Sequence, residues 1–190
     1  MKRRSLPALV LGGLMLASCR SPEPSYFTLA PIRGPAAPGA PALVELRRPG
    51  IAGYLDRSEI VRSNTAYQLK LDSTERWGEP FGDMVARVLA EDLHNRLPGT
   101  SVFTSTGAIS ADTGARVEID LQRLDSDPDG QVQLLAQVAI TRGTDRGSTT
   151  AQTIRLSVRP PGTTTGDYVA AMSQALGQAA DQIAVRLRRR

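Results

Sequence analysis

Cysteine and histidine each occur only once in this 190-residue sequence, as Cys19 and His94. One cysteine cannot form an internal disulfide, and one histidine cannot build a two-histidine metal site. The motifs of serine hydrolases, phosphate-binding loops and dinucleotide-binding loops are also missing. Glu118 and Asp120 lie two residues apart on the polar face of a predicted strand, where solvated charges are expected. We therefore predict no catalytic residue, no metal ligand and no enzymatic activity.

What the sequence does contain is a leader at its amino-terminal end. Lys2–Arg4 are basic, residues 6–16 are apolar, and Leu16-Ala17-Ser18-Cys19 follows. A basic region, a short apolar run and small residues before a cysteine are typical of a bacterial lipoprotein signal peptide. The apolar run would span only about 16 Å as a helix, far less than the ~30 Å hydrocarbon core of a bilayer. The run is therefore predicted to be a signal and not a membrane span.

The leader predicts cleavage between Ser18 and Cys19 and attachment of diacylglycerol to the Cys19 sulfur. An ordinary secretory signal and a chance free thiol are the alternatives. Apart from this covalent lipid we expect no cofactor. Because Arg20 and Ser21 follow the cysteine instead of an aspartate retention signal, we expect the outer membrane as the destination, with the protein facing the periplasm. The predicted divisions are a signal peptide at 1–18, a lipidated tether at 19–25 and one domain at 26–190.

The formal net charge of +4 does not indicate a nucleic-acid-binding protein. Lys2–Arg4 would leave with the leader, so the 23 basic residues fall to 20, against 19 acidic ones. Phosphate binding needs an excess of basic charge, which the mature chain lacks. We therefore predict no nucleic-acid partner.

Two hydrophobic periodicities predict the fold. Apolar residues recur at helical spacing after Pro80 and again from Tyr168 to Leu187, which predicts two long helices. Between them the period changes to two, which predicts an antiparallel meander with one solvated face. The predicted fold is α+β, a single domain with one curved, mostly antiparallel sheet and two helices on its apolar face. Residues 31–41, rich in proline and glycine, are predicted to form a flexible loop.

Two stretches carry a family resemblance. Residues 54–61, Tyr-Leu-Asp-Arg-Ser-Glu-Ile-Val, lead into a predicted strand, and residues 75–81, Glu-Arg-Trp-Gly-Glu-Pro-Phe, lead into the first helix. With the Leu97-Pro98-Gly99 helix stop and the strand at 130–137, they resemble the PqiC/YmbA family of auxiliary lipoproteins. Ser58 departs from the family, which usually has proline there. The likeness extends over nearly the whole mature chain.

The resemblance implies a periplasmic lipoprotein, held in the outer membrane, that works with an MCE protein. Such a partner carries lipids or other hydrophobic molecules between the two membranes and so supports envelope integrity. Whether the protein also forms a homo-oligomer is left open. A carrier that holds lipid in its own cavity and an envelope hydrolase are the alternative functions, although the hydrolase lacks the necessary motifs.

Five residues are candidates for partner binding: Tyr54, Leu55, Asp56, Arg57 and Trp77. Tyr54 and Leu55 lie in a predicted loop, where they either enter a partner's groove or cover the core. Asp56 and Arg57 more often pair with neighbouring strands than with a partner. Trp77 is either an interface anchor or a core residue that packs the start of the first helix onto the sheet. For Trp77 the core role is the preferred interpretation.

Overall fold

The computed structural model describes residues 23–65, 67–105, 112–143 and 148–189. Within these ranges the chain forms nine strands and two helices. The predicted signal peptide and the lipid-attachment residue Cys19 lie outside them. In chain order the elements are β1 (Ser25–Phe27), β2 (Leu43–Leu46), β3 (Gly50–Ile51), β4 (Glu59–Thr65), β5 (Gln68–Trp77), α1 (Phe81–Arg96), β6 (Ser101–Thr104), β7 (Ala115–Ser126), β8 (Val132–Arg142), β9 (Thr149–Val158) and α2 (Thr165–Arg188).

The predicted meander is confirmed as the centre of a large sheet. Strands β7, β8 and β9 pair antiparallel in sequence order. The turn after β7 includes Gly130, whose φ of 76° lies in the left-handed region that glycine adopts readily. Strand β2 is parallel to both β6 and β7, and β3 pairs with β7 beyond the end of β2. The order is β6-β2-β7-β8-β9, with β3 off this path.

Strands β1, β5 and β4 form a second, small sheet in that order. The α+β class is confirmed, but the strands divide between two sheets instead of the one that periodicity predicts. Strand β4 continues through Thr65 and pairs with β5. Strand β5 then extends as far as Trp77. These two antiparallel strands, β4 and β5, form a hairpin that is flanked on one side by β1.

Both predicted helices are confirmed, and local sequence explains where they begin. Pro80 immediately precedes α1. Proline is well tolerated there because the first backbone N–H groups of a helix have no intrahelical partner. Thr164 and Asp167 form a capping box at the start of α2. Helix α2 packs on β7, β8 and β9, and α1 packs on α2 and lies next to β6. Within the described residues, neither helix is long and apolar enough to cross a membrane.

The segment at 31–41 is irregular, as its composition predicts, and its first half is hydrogen-bonded to α1. The backbone N–H of Ile32 donates to Asp92 Oδ1 on α1 at 2.6 Å, and the Ile32 carbonyl accepts from Arg96 at 2.7 Å. Farther along, Ala37 donates to the Arg96 carbonyl at 3.0 Å. These hydrogen bonds place residues 32–37 against α1.

Candidate partner-binding site

The predicted loop connects β3 to β4 and is closed by its own backbone hydrogen bonds. Leu55 N–H donates to the Ala52 carbonyl at 2.8 Å, and Arg57 N–H donates to the Leu55 carbonyl at 2.9 Å. Ala52 is in turn bonded to Leu121 of β7. The loop is therefore an ordered turn that is attached to the large sheet, and the Asp56 and Arg57 side chains point outward from it as exposed groups.

Two of the five predicted residues belong to the core. Leu55 is 2% exposed and Trp77 is 5% exposed. Trp77 lies at the end of β5 beside Phe27 of β1, and its ring centroid is 5.2 Å from that of Phe81, the first residue of α1. This is the core role preferred for Trp77 from the sequence. As placed, neither side chain offers a face to a partner, so the loop surface that remains is Asp56, Arg57 and part of Tyr54.

Tyr54 is half-buried and contacts a carboxylate that sequence reasoning did not single out. Its hydroxyl donates to Asp125 Oδ2 at 3.0 Å, and the Ser63 hydroxyl donates to the same oxygen at 3.1 Å. Arg123 Nε donates to Asp125 Oδ1 at 2.6 Å. Burial, reinforced by the Asp125 carboxylate, raises the pKa of Tyr54, so its hydroxyl remains a donor. The cluster thus joins the loop, β4 and β7 through one buried carboxylate.

An open groove of about 500 Å³ lies beside this cluster, between the β4–β5 hairpin and the β7–β8 turn. We call it the Tyr54 groove. Its wall combines the apolar Leu69 and Pro128 with Tyr54, Arg123 and Asp125. A mixed, open groove of this kind suits a protein segment better than a small apolar ligand, which needs an enclosed site.

Arg62 occupies the opposite side of the hairpin and connects it to α2. Its guanidinium lies 4.8 Å from the centroid of the Tyr168 ring and donates to Thr165 Oγ1 at 2.6 Å. It also forms an ion pair with Glu75 at 3.5 Å. The Tyr168 hydroxyl donates to the Val61 carbonyl at 2.9 Å, and burial raises the pKa of that hydroxyl. These contacts hold the hairpin on the domain.

Two more openings, of about 390 and 400 Å³, flank Arg62 near the start of α2. At this helix start the Thr164 N–H donates to Asp167 Oδ2 and the Asp167 N–H donates to Thr164 Oγ1, so these two amides are already paired. His94 is exposed, and Glu118 is exposed with an ion pair to Arg47 at 3.9 Å. In the part of the chain that the structure describes, no cluster of three or more His, Cys, Asp or Glu side chains could hold a metal ion.

A second buried ionic cluster, also missed from the sequence, joins α1 to α2. Arg96 is 1% exposed; it donates to Asp181 Oδ1 at 2.6 Å and to the Gly177 carbonyl at 2.9 Å. Asp92, one turn earlier on α1, is fully buried, and burial raises its pKa to about 6. The available signal was the four-residue spacing of Asp92 and Arg96 beside Leu93, which places opposite charges on an apolar helix face.

Comparison with known proteins identifies the fold. A family model described as ABC-type transport auxiliary lipoprotein component matches residues 27–184. One solved structure, of a protein described as uncharacterized, is 16% identical, with 87% of this chain and 99% of that chain covered and a TM-score of 0.73. XCC0632 from Xanthomonas campestris, a DUF330 protein, is 19% identical, with coverages of 84% and 90% and a TM-score of 0.66. Among curated proteins none matches.

Proposed function

Because this chain belongs to the family of ABC-type transport auxiliary lipoproteins, we propose that it is a non-catalytic, lipid-anchored subunit of an MCE-type transport system. The resemblance to the PqiC/YmbA family is confirmed by that membership. In this proposal Cys19 carries the lipid, the outer membrane holds the protein with its domain in the periplasm, and the domain docks the MCE tunnel protein. The complex then carries lipids or other hydrophobic molecules between the membranes and supports envelope integrity.

The observation that carries the proposal is the extent of the family match. Residues 27–184 include every element from the end of β1 through most of α2, so the match covers the domain as a unit. The polar groups that line the Tyr54 groove support a docking role over a catalytic one. Tyr54, Ser63 and Arg123 all donate to Asp125, which leaves this carboxylate committed to structural hydrogen bonds.

The docking surface that we propose combines the exposed part of the β3–β4 loop with the adjoining side of the Tyr54 groove, at Tyr54 and Arg123. Asp56 and Arg57 project from an ordered turn, and ordered loops on a rigid scaffold are common sites of recognition. Arginine is enriched among the residues that dominate binding energy at interfaces. Arg57 is therefore the single best residue to test, since its side chain is exposed and its change should leave the core intact.

Copurification with the MCE protein of the same transport system tests this proposal. Arg57→Glu should weaken binding at least about tenfold, which corresponds to about 1.4 kcal/mol. The matched control is Arg155→Glu, which makes the same charge change at an exposed position on β9. Binding that is equally strong in the wild type and in both variants would remove the β3–β4 loop from the interface. If the wild type itself does not bind the MCE protein, the proposed function is wrong.

The anchor is tested separately by fractionating membranes from cells that express the wild type or Cys19→Ala. The wild type should float with the outer membrane, and the variant should be released, because a multiply acylated cysteine anchors stably whereas the folded domain alone does not. Mass spectrometry of the mature protein checks the modification directly. An unmodified Cys19 would contradict the proposed lipid attachment.

A further inference from the structure

The position of β1 limits how far the domain can lie from a lipid attached to Cys19. This step rests on the lipid anchor of the proposed function. Five residues separate Cys19 from Ser25, the first residue of β1, and the six steps along the chain, at 3.3–3.6 Å each, reach at most about 22 Å. β1 is parallel to β5, with Ser25 opposite Glu75. Because β5 begins at the hairpin turn and β1 runs in the same direction, the chain enters β1 from the side of the hairpin turn.

Most of the exposed large hydrophobic side chains belong to that same small sheet and its hairpin turn. Among the described residues, five large hydrophobic side chains are exposed, and four of them belong to β1, β5 or the hairpin turn. Three of these four side chains lie at the outer end of the hairpin, namely Tyr67, Leu69 and Leu71. We call them the apolar hairpin tip. Tyr67 is fully exposed, and the fourth residue, Tyr26, lies on β1 directly after the tether. Such clustering usually marks a contact surface.

The chemistry of the apolar hairpin tip suits the surface of a bilayer. Tyrosine has an apolar ring and a polar hydroxyl and is enriched where hydrocarbon meets headgroups, while leucine enters the acyl region. At the tip, β4 and β5 pair antiparallel from Val61–Leu71 to Thr65–Gln68 with one irregularity after Ser63, and this pairing lowers the cost of bringing their backbone to the interface. Tyr67 and Leu69 line the hairpin side of the Tyr54 groove, outside the proposed docking surface, and the tether holds this end within reach of the bilayer.

We propose that the apolar hairpin tip inserts into the surface of the same bilayer that holds the Cys19 lipid. It acts as a second contact that fixes the orientation of the domain. The charge around the tip is mixed: Lys70 lies between the two leucines, and Asp72, whose pKa is lowered by hydrogen bonds from Thr74, stays ionised beside them. The contact therefore depends on apolar insertion, and zwitterionic lipid should suffice.

A fluorescence experiment on the full-length acylated protein tests this contact. Because acylation occupies the sulfur of Cys19, Leu69→Cys creates a unique site for an environment-sensitive dye. The control is Val185→Cys on α2, since Val185 is 40% exposed and Leu69 is 43% exposed. In vesicles of phosphatidylcholine that contain some nitroxide-labelled phosphatidylcholine, the dye at 69 should shift to the blue and be quenched several-fold more than the dye at 185. Tyr67→Cys, at a fully exposed position, gives a second reporter if Leu69→Cys impairs folding.

The outcomes separate this inference from the proposed function. Protein that floats with the vesicles while the dyes at 67 and 69 remain aqueous overturns the hairpin contact and leaves the anchor standing. Protein that does not float overturns the anchor, and with it this inference. Shielding of the dye only after the MCE protein is added would assign the apolar hairpin tip to a protein partner and also overturn the membrane contact.

Discussion

Asp92 and Asp125 are both buried carboxylates that contact an arginine, but their surroundings differ. The two oxygens of Asp125 accept three side-chain hydrogen bonds, from Tyr54, Ser63 and Arg123. Asp92 Oδ1 accepts one short bond from the Ile32 N–H, and Oδ2 has no partner among the described residues. The two sites show how the number of donors, rather than the presence of an arginine, determines how well a buried charge is accommodated.

The guanidinium of Arg96 explains the difference, because most of its donors serve other groups. It bonds to Asp181, to the Ile32 and Gly177 carbonyls and to the backbone carbonyl of Asp92. The Asp92 carboxylate is 3.6 Å from the guanidinium, which is an ion pair without a close hydrogen bond. Burial therefore outweighs the attraction of Arg96 and the Ile32 N–H, and the pKa of Asp92 rises to about 6.

The largest expected effect comes from removing each arginine while keeping its apolar stem. Arg96→Met should lower the free energy of unfolding by about 3–5 kcal/mol, since it leaves Asp92 and Asp181 without their cation and removes the side-chain donor of three carbonyls. Arg123→Met should cost about 1–2 kcal/mol, because Tyr54 and Ser63 still donate to Asp125 and a third of the Arg123 side chain is in solvent.

Urea unfolding at pH 7 measures both values. Equal losses in the two variants would show that the donor count does not distinguish the two sites. A loss smaller for Arg96→Met than for Arg123→Met would contradict the comparison outright.

The next largest effect is expected in the pH dependence of stability, to which the raised pKa of Asp92 should contribute. A carboxyl whose pKa is higher in the native state than the ordinary value of 3.8 is protonated preferentially in the folded protein. Its contribution to stability is therefore fully present below about pH 4 and is lost as the pH rises through about 6. A pKa difference of one between the folded and unfolded states corresponds to about 1.4 kcal/mol. The rise from 3.8 to about 6 should therefore remove up to about 3 kcal/mol of stability by pH 7.

Asp92→Asn removes this titration and keeps an oxygen for the Ile32 N–H. The free energy of unfolding of the variant, minus that of the wild type, should therefore increase between pH 4 and pH 7. Asp129→Asn, the same change at an exposed position in the β7–β8 turn, is the control and should keep the wild-type trend. A difference between Asp92→Asn and wild type that does not change with pH would contradict a raised Asp92 pKa.

Local sequence patterns predicted the parts of this fold that local interactions determine. The spacing of apolar residues after Pro80 predicted α1, and the alternation of apolar and polar residues predicted the β7–β8–β9 meander. Both patterns arise from side chains that are close in the chain. The small sheet was missed since β1 pairs with β5, about fifty residues later, and no periodicity records such a pairing. The same limit hid the Tyr54–Asp125 contact, which depends on the β-bulge after Leu121 and on packing of the hairpin.

Glycines beside the two sites offer a smaller test of how tightly each is packed. A Cβ on Gly34 would overlap Arg96 Nη2 and Asp181 Oδ1, whereas a Cβ on Gly53, next to Tyr54, would meet nothing within 4 Å. Gly34→Ala should therefore cost about 1–3 kcal/mol by overpacking, and Gly53→Ala should be close to neutral. Thermal melts of the two variants make the comparison. Equal melting temperatures would mean that residues 32–37 move aside without any loss of stability.

The smallest effect is expected at the hydroxyl of Tyr54. Tyr54→Phe keeps the ring and removes one of three donors to Asp125, so it should cost about 1 kcal/mol. Ser63→Ala removes a second donor to the same oxygen and should cost about the same. Together the two changes should cost more than their sum, because Asp125 Oδ2 would then be buried with no side-chain donor, as Asp92 Oδ2 is now. A double-mutant cycle by urea unfolding measures this coupling, and strict additivity would show that water or a backbone group replaces the lost donors.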